Sequence, residues 1–81
     1  MLYLAITPAG LKDALRSASD DDAVWCGSDA ITEAEFSALK HPNLTRFIYS
    51  LGDRQRISEA ISTMEEHHPD QIIWVESEKS N

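Results

Sequence analysis

Four short apolar runs alternate with three amphipathic segments along this 81-residue chain, and this alternation constrains the fold more than any single motif. The runs are LYLAI at residues 2–6, AVWC at 23–26, TRFIYSL at 45–51 and QIIWV at 71–75. Their length and apolar content are typical of strands. Strands that alternate with helices are joined by crossover connections, so the sequence predicts a βαβαβαβ order and a mainly parallel sheet.

Each amphipathic segment begins with a residue that can cap a helix. Thr7 precedes Pro8, which suits the first helical position because that position needs no N–H donor. Thr32 and Glu35 fit a capping box, and Asp53 follows a glycine as the third cap. Apolar residues recur at helical spacing after each cap. In the first helix they are Leu11, Ala14, Leu15 and Ala18.

These elements predict an α/β domain with a four-stranded, mainly parallel sheet and three helices on both faces. We expect the strand order 2-1-3-4, with the short second strand at an edge. A two-layer α+β sheet with one antiparallel strand is the alternative. We expect the domain to span residues 1–76 and the polar residues 77–81 to form a flexible C-terminal tail.

The balance of charge restricts the partners that such a domain can bind. The chain has 14 Asp and Glu residues against 7 Lys and Arg residues, and its net charge is −7. This charge disfavours direct binding to nucleic acid or to anionic membranes, because both require clustered Lys and Arg. An acidic surface suits a basic protein partner instead.

The ends of the chain and its single cysteine indicate a compartment. The first residues contain no basic segment, and Pro8 interrupts them, so we expect a strand there and not a signal peptide. No apolar run approaches the ~18 residues of a membrane span. One cysteine cannot form an internal disulfide. We therefore expect a cytoplasmic protein.

Sites in parallel α/β sheets lie beyond the carboxyl ends of the strands, near the point where the strand order reverses. The candidate residues there are Thr7, Cys26, Ser28, Asp29, Ser50, Asp53 and Arg54. Helix N-termini point toward this rim, so a small anion could bind there, and a thiol could have a lowered pKa. For Cys26 the main expectation is a structural role as a small buried residue, and a reactive thiol is the alternative.

The motifs of common catalytic and nucleotide sites are absent from the sequence. It contains neither C-x-x-C, nor C-x5-R, nor a phosphate-binding glycine-rich loop. His41, His67 and His68 fall in helix-to-strand loops, at the opposite end of a parallel sheet from Cys26, which argues against a Cys-His pair. Their spacing matches no zinc motif, so we expect no metal and no cofactor.

The remaining candidates are residues for binding a partner. Glu65 and Glu66 lie near the C-terminus of the third helix, where negative charge is unfavourable. Trp74 lies in a strand too short to bury every large side chain. We therefore expect Glu65, Glu66 and Trp74 to contribute to a partner-binding surface. The simpler alternative is that the glutamates are only solvated and that Trp74 packs in the core.

Three functions fit this sequence. The first is a small acidic protein-binding module that regulates or inhibits a basic protein partner, without catalysis. One form of it is an inhibitor that occupies a nucleic-acid-binding groove of its partner. The second is a thiol-dependent enzyme or carrier that uses Cys26. The third is a homodimeric structural protein that pairs through an edge strand or through Trp74. The binding module could be a monomer or a homodimer.

Overall fold

A computed structural model describes residues 1–76 and contains four strands and three helices in the predicted order. The strands are β1 (Leu2–Ala5), β2 (Ala23–Cys26), β3 (Leu44–Arg46) and β4 (Ile73–Val75). The helices are α1 (Pro8–Ser17), α2 (Glu33–Leu39) and α3 (Arg54–His67). The predicted tail, residues 77–81, lies outside the described residues.

All three predicted helix caps are present. The Thr7 hydroxyl accepts a hydrogen bond from the Gly10 amide at 3.1 Å, and the Asp53 carboxylate accepts one from the Arg56 amide at 2.9 Å. Thr32 accepts one from the Glu35 amide at 3.1 Å and donates its hydroxyl proton to the Glu35 carboxylate. These bonds satisfy amides that the first turn of a helix leaves unpaired, so they fix where each helix begins.

The four strands form one parallel sheet, as predicted, but its order is β3-β2-β1-β4 and not 2-1-3-4. The short β2 is therefore an inner strand, and β3 and β4 are the edges. The crossovers through α1 and α2 place β2 and then β3 on one side of β1. The crossover through α3 places β4 on the other side of β1. Alternation of strands and helices does not encode where this reversal occurs, so the predicted order was wrong.

The third strand is also shorter than predicted. It ends at Arg46, and the chain then bends across the carboxyl end of β2. The Phe47 amide donates to the Cys26 carbonyl at 2.8 Å, and the Ser28 amide donates to the Tyr49 carbonyl at 3.0 Å. Phe47, Tyr49 and Leu51 therefore pack into the layer beneath α3 and not within a longer strand, whereas Ile48 is exposed.

The sheet separates two apolar layers. Alternate residues of β1 point to opposite faces: Leu2 and Leu4 pack beneath α3, whereas Tyr3 and Ala5 pack beneath α1 and α2. The α3 layer also contains Trp25, Phe47, Leu51, Ala60 and Met64. The opposite layer contains Leu11, Ala14, Val24, Cys26, Ala30 and Leu44. In the described part of the chain, no helix is long and apolar enough to cross a membrane.

Candidate functional site

The seven residues predicted for a strand-end site all lie toward the carboxyl end of the parallel sheet. Thr7 follows β1, and Cys26 ends β2. Ser28 and Asp29 come next along the chain, whereas Ser50, Asp53 and Arg54 lie between β3 and the first turn of α3. The shared end follows from the parallel strands, but the contacts below involve several of these residues in structural bonds.

The reversal of strand order lies between β1 and β4, and the chain's own Glu76 occupies it. Glu76 directly follows β4, and its carboxylate accepts hydrogen bonds from the Ile6 amide at 2.6 Å and the Thr7 amide at 2.7 Å. The Thr7 hydroxyl donates to the same carboxylate. A carboxylate therefore already occupies the place where an anion was expected, at the N-terminus of α1.

Gly10 makes this arrangement possible. A Cβ atom on Gly10 would overlap the Glu76 carboxyl group. A glycine in the first turn of α1 thus lets the end of β4 approach the helix closely. Neither Gly10 nor Glu76 was predicted from the sequence to have a role here. The signal was a glycine inside a helix, which often marks a close approach of another segment.

Cys26 is buried and is not activated. Its side chain is inaccessible to solvent in the layer beneath α1 and α2. Burial raises the pKa of the Cys26 thiol to about 11, although the Arg46 guanidinium partly opposes this shift. A catalytic thiol needs exposure and a lowered pKa, so this environment favours the structural role for Cys26.

Arg46 holds the loop that follows Cys26. Its Nε atom donates to the Ile31 carbonyl at 2.9 Å, and its Nη2 atom donates to the Ser28 carbonyl at 3.1 Å. Sequence reasoning assigned no role to this arginine. The loop between β2 and α2 is therefore fixed to β3, and the backbone of Ser28 takes part in structural bonds on both its N–H and carbonyl sides.

The opposite end of the sheet carries the histidines. His67 and His68 lie near the indole ring of the buried Trp25, with ring centroids 5.7 Å and 6.2 Å away. Both residues thus contribute to packing beside α3. Within residues 1–76, no group of three or more His, Cys, Asp or Glu side chains is arranged to hold a metal ion.

Two acidic loops lie at this same amino-terminal end of the sheet. The loop between α1 and β2 contains Asp20, Asp21 and Asp22, and Glu65, Glu66 and Asp70 lie at the end of α3 and in the loop after it. We call the exposed members, Asp20, Asp21, Glu65, Glu66 and Asp70, the acidic end. Because β2 and β4 are the two neighbours of β1, these loops enter the sheet about 10 Å apart.

Asp22 differs from the other acidic residues because it has partners. Its carboxylate accepts hydrogen bonds from the Ser19 amide at 2.9 Å and the Ser19 hydroxyl at 3.1 Å. It also lies 3.1 Å from the Met1 amino group, the one ion pair among residues 1–76. The Ser19 amide, followed by the Met1 amino group, lowers the pKa of Asp22. The acidic end itself therefore has no ion-pair partner in the described chain.

Glu65, Glu66 and Trp74 lie on different layers. Both glutamates are exposed on α3. Trp74 lies on the face of the sheet covered by α1, where its ring is 5.6 Å from that of Tyr3, and it is 38% exposed. The structure therefore places the two glutamates on α3 and Trp74 on the opposite face of the sheet.

An open groove of about 440 Å³ lies between α1 and α2. Apolar side chains of Leu11, Leu15, Ile31 and Leu39 line it, and charged residues such as Lys12 and Glu35 stand at its rim. Polar residues such as Ser28 and Asp29 also line this groove. Function must be argued from these surfaces, because the chain matches no protein-family model, no curated protein and no solved structure.

Proposed function

We propose that this chain is a small acidic protein-binding module that regulates or inhibits a basic protein partner. The observation that carries the proposal is the acidic end, where the loop before β2 and the end of α3 with the loop after it carry five exposed carboxylates without an ion-pair partner in residues 1–76. Carboxylates that the fold leaves unpaired remain able to attract Lys and Arg side chains of another protein.

The arrangement of the other charges supports this proposal. Asp53 caps α3, Glu35 accepts a hydrogen bond from the Thr32 hydroxyl, Glu76 binds the start of α1, and Asp22 binds Ser19. The folded structure uses each of these carboxylates locally. The acidic end serves no such purpose, and its concentration of like charge opposes folding. A binding role gives that concentration a use.

The buried thiol favours binding over catalysis by Cys26. An acidic module of this kind would act in the cytoplasm, where a protein with one reduced cysteine is stable. One form of the function is inhibition of a nucleic-acid-binding partner, since carboxylates can occupy a groove built for phosphates. Added nucleic acid would then compete with the module for its partner.

A capture experiment tests the function. The immobilised protein should retain a basic partner from a lysate of its source at low salt and release it at high salt. The triple variant Asp21→Asn, Glu65→Gln, Glu66→Gln should bind that partner at least about tenfold more weakly.

The matched control is the variant Asp29→Asn, Glu33→Gln, Glu59→Gln, which neutralises three exposed carboxylates elsewhere. Each triple variant changes the net charge from −7 to −4, so their comparison separates position from total charge. Equal loss of binding in both triples, or recovery of no salt-sensitive partner, would refute the proposed function.

A further inference from the structure

Among residues 1–76, only β1 pairs with β4, so the outer edge of β4 has backbone groups that bind no other described strand. The Leu2 amide donates to the Ile72 carbonyl at 2.8 Å, and the Glu76 amide donates to the Leu4 carbonyl at 3.0 Å. Backbone groups of successive strand residues point to opposite sides, so Trp74 also faces β1. The N–H and C=O groups of Ile73 and Val75 therefore face away from the sheet.

Apart from its length of three residues, the described part of this edge lacks the features that normally prevent strand addition. Proteins protect edge strands with charged residues, prolines or bulges. Residues 71–75, QIIWV, contain neither a charge nor a proline. The other edge strand, β3, contains Arg46 and follows Pro42. The two edges thus differ, and β4 is the one open to a partner.

Exposed apolar side chains lie beside the free edge. Ile72 is 73% exposed and Trp74 is 38% exposed, and their spacing places both on the face that α1 covers. A depression of about 230 Å³ separates Trp74 from α1. Its other lining residues are Met1, Tyr3, Asp13, Ala14 and Ser17. An apolar side chain of an added strand could pack here.

Acidic residues flank the edge on both layers. Asp13 of α1 lines the depression beside Trp74. On α3, Arg56 lies over the Tyr49 ring and His67 near Trp25, so these two positions mark the flank that faces β2 and β3. Glu65 is about 180° around the helix from Arg56 and therefore lies on the flank toward β4. Arg54 lies on the same flank, but it is in the first turn of α3, at the opposite end of the helix from Glu65.

We propose that the edge of β4 binds an extended segment of the basic partner as a fifth strand. This inference rests on the proposed function and specifies how the partner binds. Ile73 and Val75 supply the backbone hydrogen bonds, an apolar side chain packs on Ile72 and Trp74, and flanking Lys or Arg residues lie near Asp13 and Glu65. A second copy of this chain suits the edge less well, because pairing would bring these carboxylates near their own copies.

A model peptide tests this proposal directly. The probe is a synthetic peptide of about nine residues, with alternating valine and threonine between terminal lysines, long enough for one strand. Amide hydrogen exchange is measured by NMR with and without the peptide. We expect exchange at Ile73 and Val75 to slow at least about tenfold, while the Trp74 amide, already bonded to β1, changes little.

Two controls test the chemistry of recognition. A peptide with glutamates in place of the lysines should bind at least about tenfold more weakly. The variant Asp13→Lys, Glu65→Lys should weaken binding of the lysine peptide by a similar factor. The matched variant Asp29→Lys, Glu59→Lys changes exposed residues away from β4 and should keep most of the affinity.

The outcomes separate this inference from the proposed function. If the lysine peptide leaves Ile73 and Val75 unprotected while capture of the natural partner still depends on the acidic end, the strand-addition proposal fails and the function stands. Protection of these amides that grows with protein concentration, without peptide, would identify a second copy as the occupant and overturn the proposal. Equal weakening by the two lysine variants would also overturn it.

Discussion

Cys26 illustrates how the position of one residue decides its chemistry. It ends an inner strand of the sheet, and its side chain points into the layer beneath α1 and α2. No solvent reaches the sulfur, and burial raises the pKa of the thiol to about 11. The helix N-termini at the same end of the sheet do not reverse this shift. The residue therefore acts as a small apolar side chain in the core.

Alkylation kinetics test this assignment of Cys26. A rise in pKa from 9.0 to about 11 lowers the thiolate fraction at neutral pH by about 100-fold, and burial slows access further. We expect iodoacetamide to label the native protein at least about 100-fold more slowly than the unfolded chain. The native rate should keep rising with pH until about 11. Rapid labelling at pH 7 would restore the thiol-dependent alternative.

At the scale of elements, sequence patterns predicted what is local and missed what depends on distant segments. Alternating apolar runs and caps such as Thr7 and Thr32 predicted all seven elements, because each cap involves residues three positions apart. The strand order depends on how segments far apart in sequence pair. One signal was present: Arg46 in the third run is a charge typical of an edge strand.

The candidate site was predicted in the same uneven way. The parallel sheet places residues such as Thr7 and Ser28 at one end, as the sequence indicated. The sequence did not reveal that Glu76, 69 residues from Thr7, fills the point where strand order reverses. Such a contact exists only after β4 pairs with β1. Gly10 is a local signal that another segment approaches α1, but no local pattern identifies that segment as the end of β4.

Substitutions at Gly10 and Glu76 test the contact between α1 and β4. Glu76→Ala removes an acceptor shared by two backbone amides and a hydroxyl, and should lower the free energy of unfolding by about 2 kcal/mol. Gly10→Ala should also destabilise, since its Cβ would displace the carboxylate. In the Glu76→Ala background, Gly10→Ala should instead stabilise by about 0.5–1 kcal/mol, because alanine favours the helix.

Urea denaturation of the four proteins in this cycle provides the measurement, and Glu59→Ala on the exposed face of α3 is the control. Glu59→Ala should change the free energy of unfolding by no more than about 0.5 kcal/mol. Additive effects of Gly10→Ala and Glu76→Ala would contradict the close approach, because non-additivity is expected only between residues in contact.

For the whole molecule, the distribution of charge has a cost in stability that can be measured without a partner. Two carboxylates about 10 Å apart in water repel by about 0.4 kcal/mol, and β2 and β4, beside which the acidic residues lie, are separated by about this distance. Salt shortens the range of this repulsion from about 10 Å at 0.1 M to about 3 Å at 1 M. Added NaCl should therefore stabilise the folded protein.

Comparing the two triple variants shows whether the salt dependence of stability arises at the acidic end. Neutralising Asp21, Glu65 and Glu66 should raise the free energy of unfolding at low salt by about 1 kcal/mol and remove most of its salt dependence. The control triple at Asp29, Glu33 and Glu59 should do less, because these residues lie on separate elements and Glu33 favours its helix N-terminus. Thermal unfolding at 0.02 M and at about 1 M NaCl measures both effects. An equal response of the two triple variants would mean that the repulsion is spread over the whole surface. The acidic end would then not be a distinct binding surface.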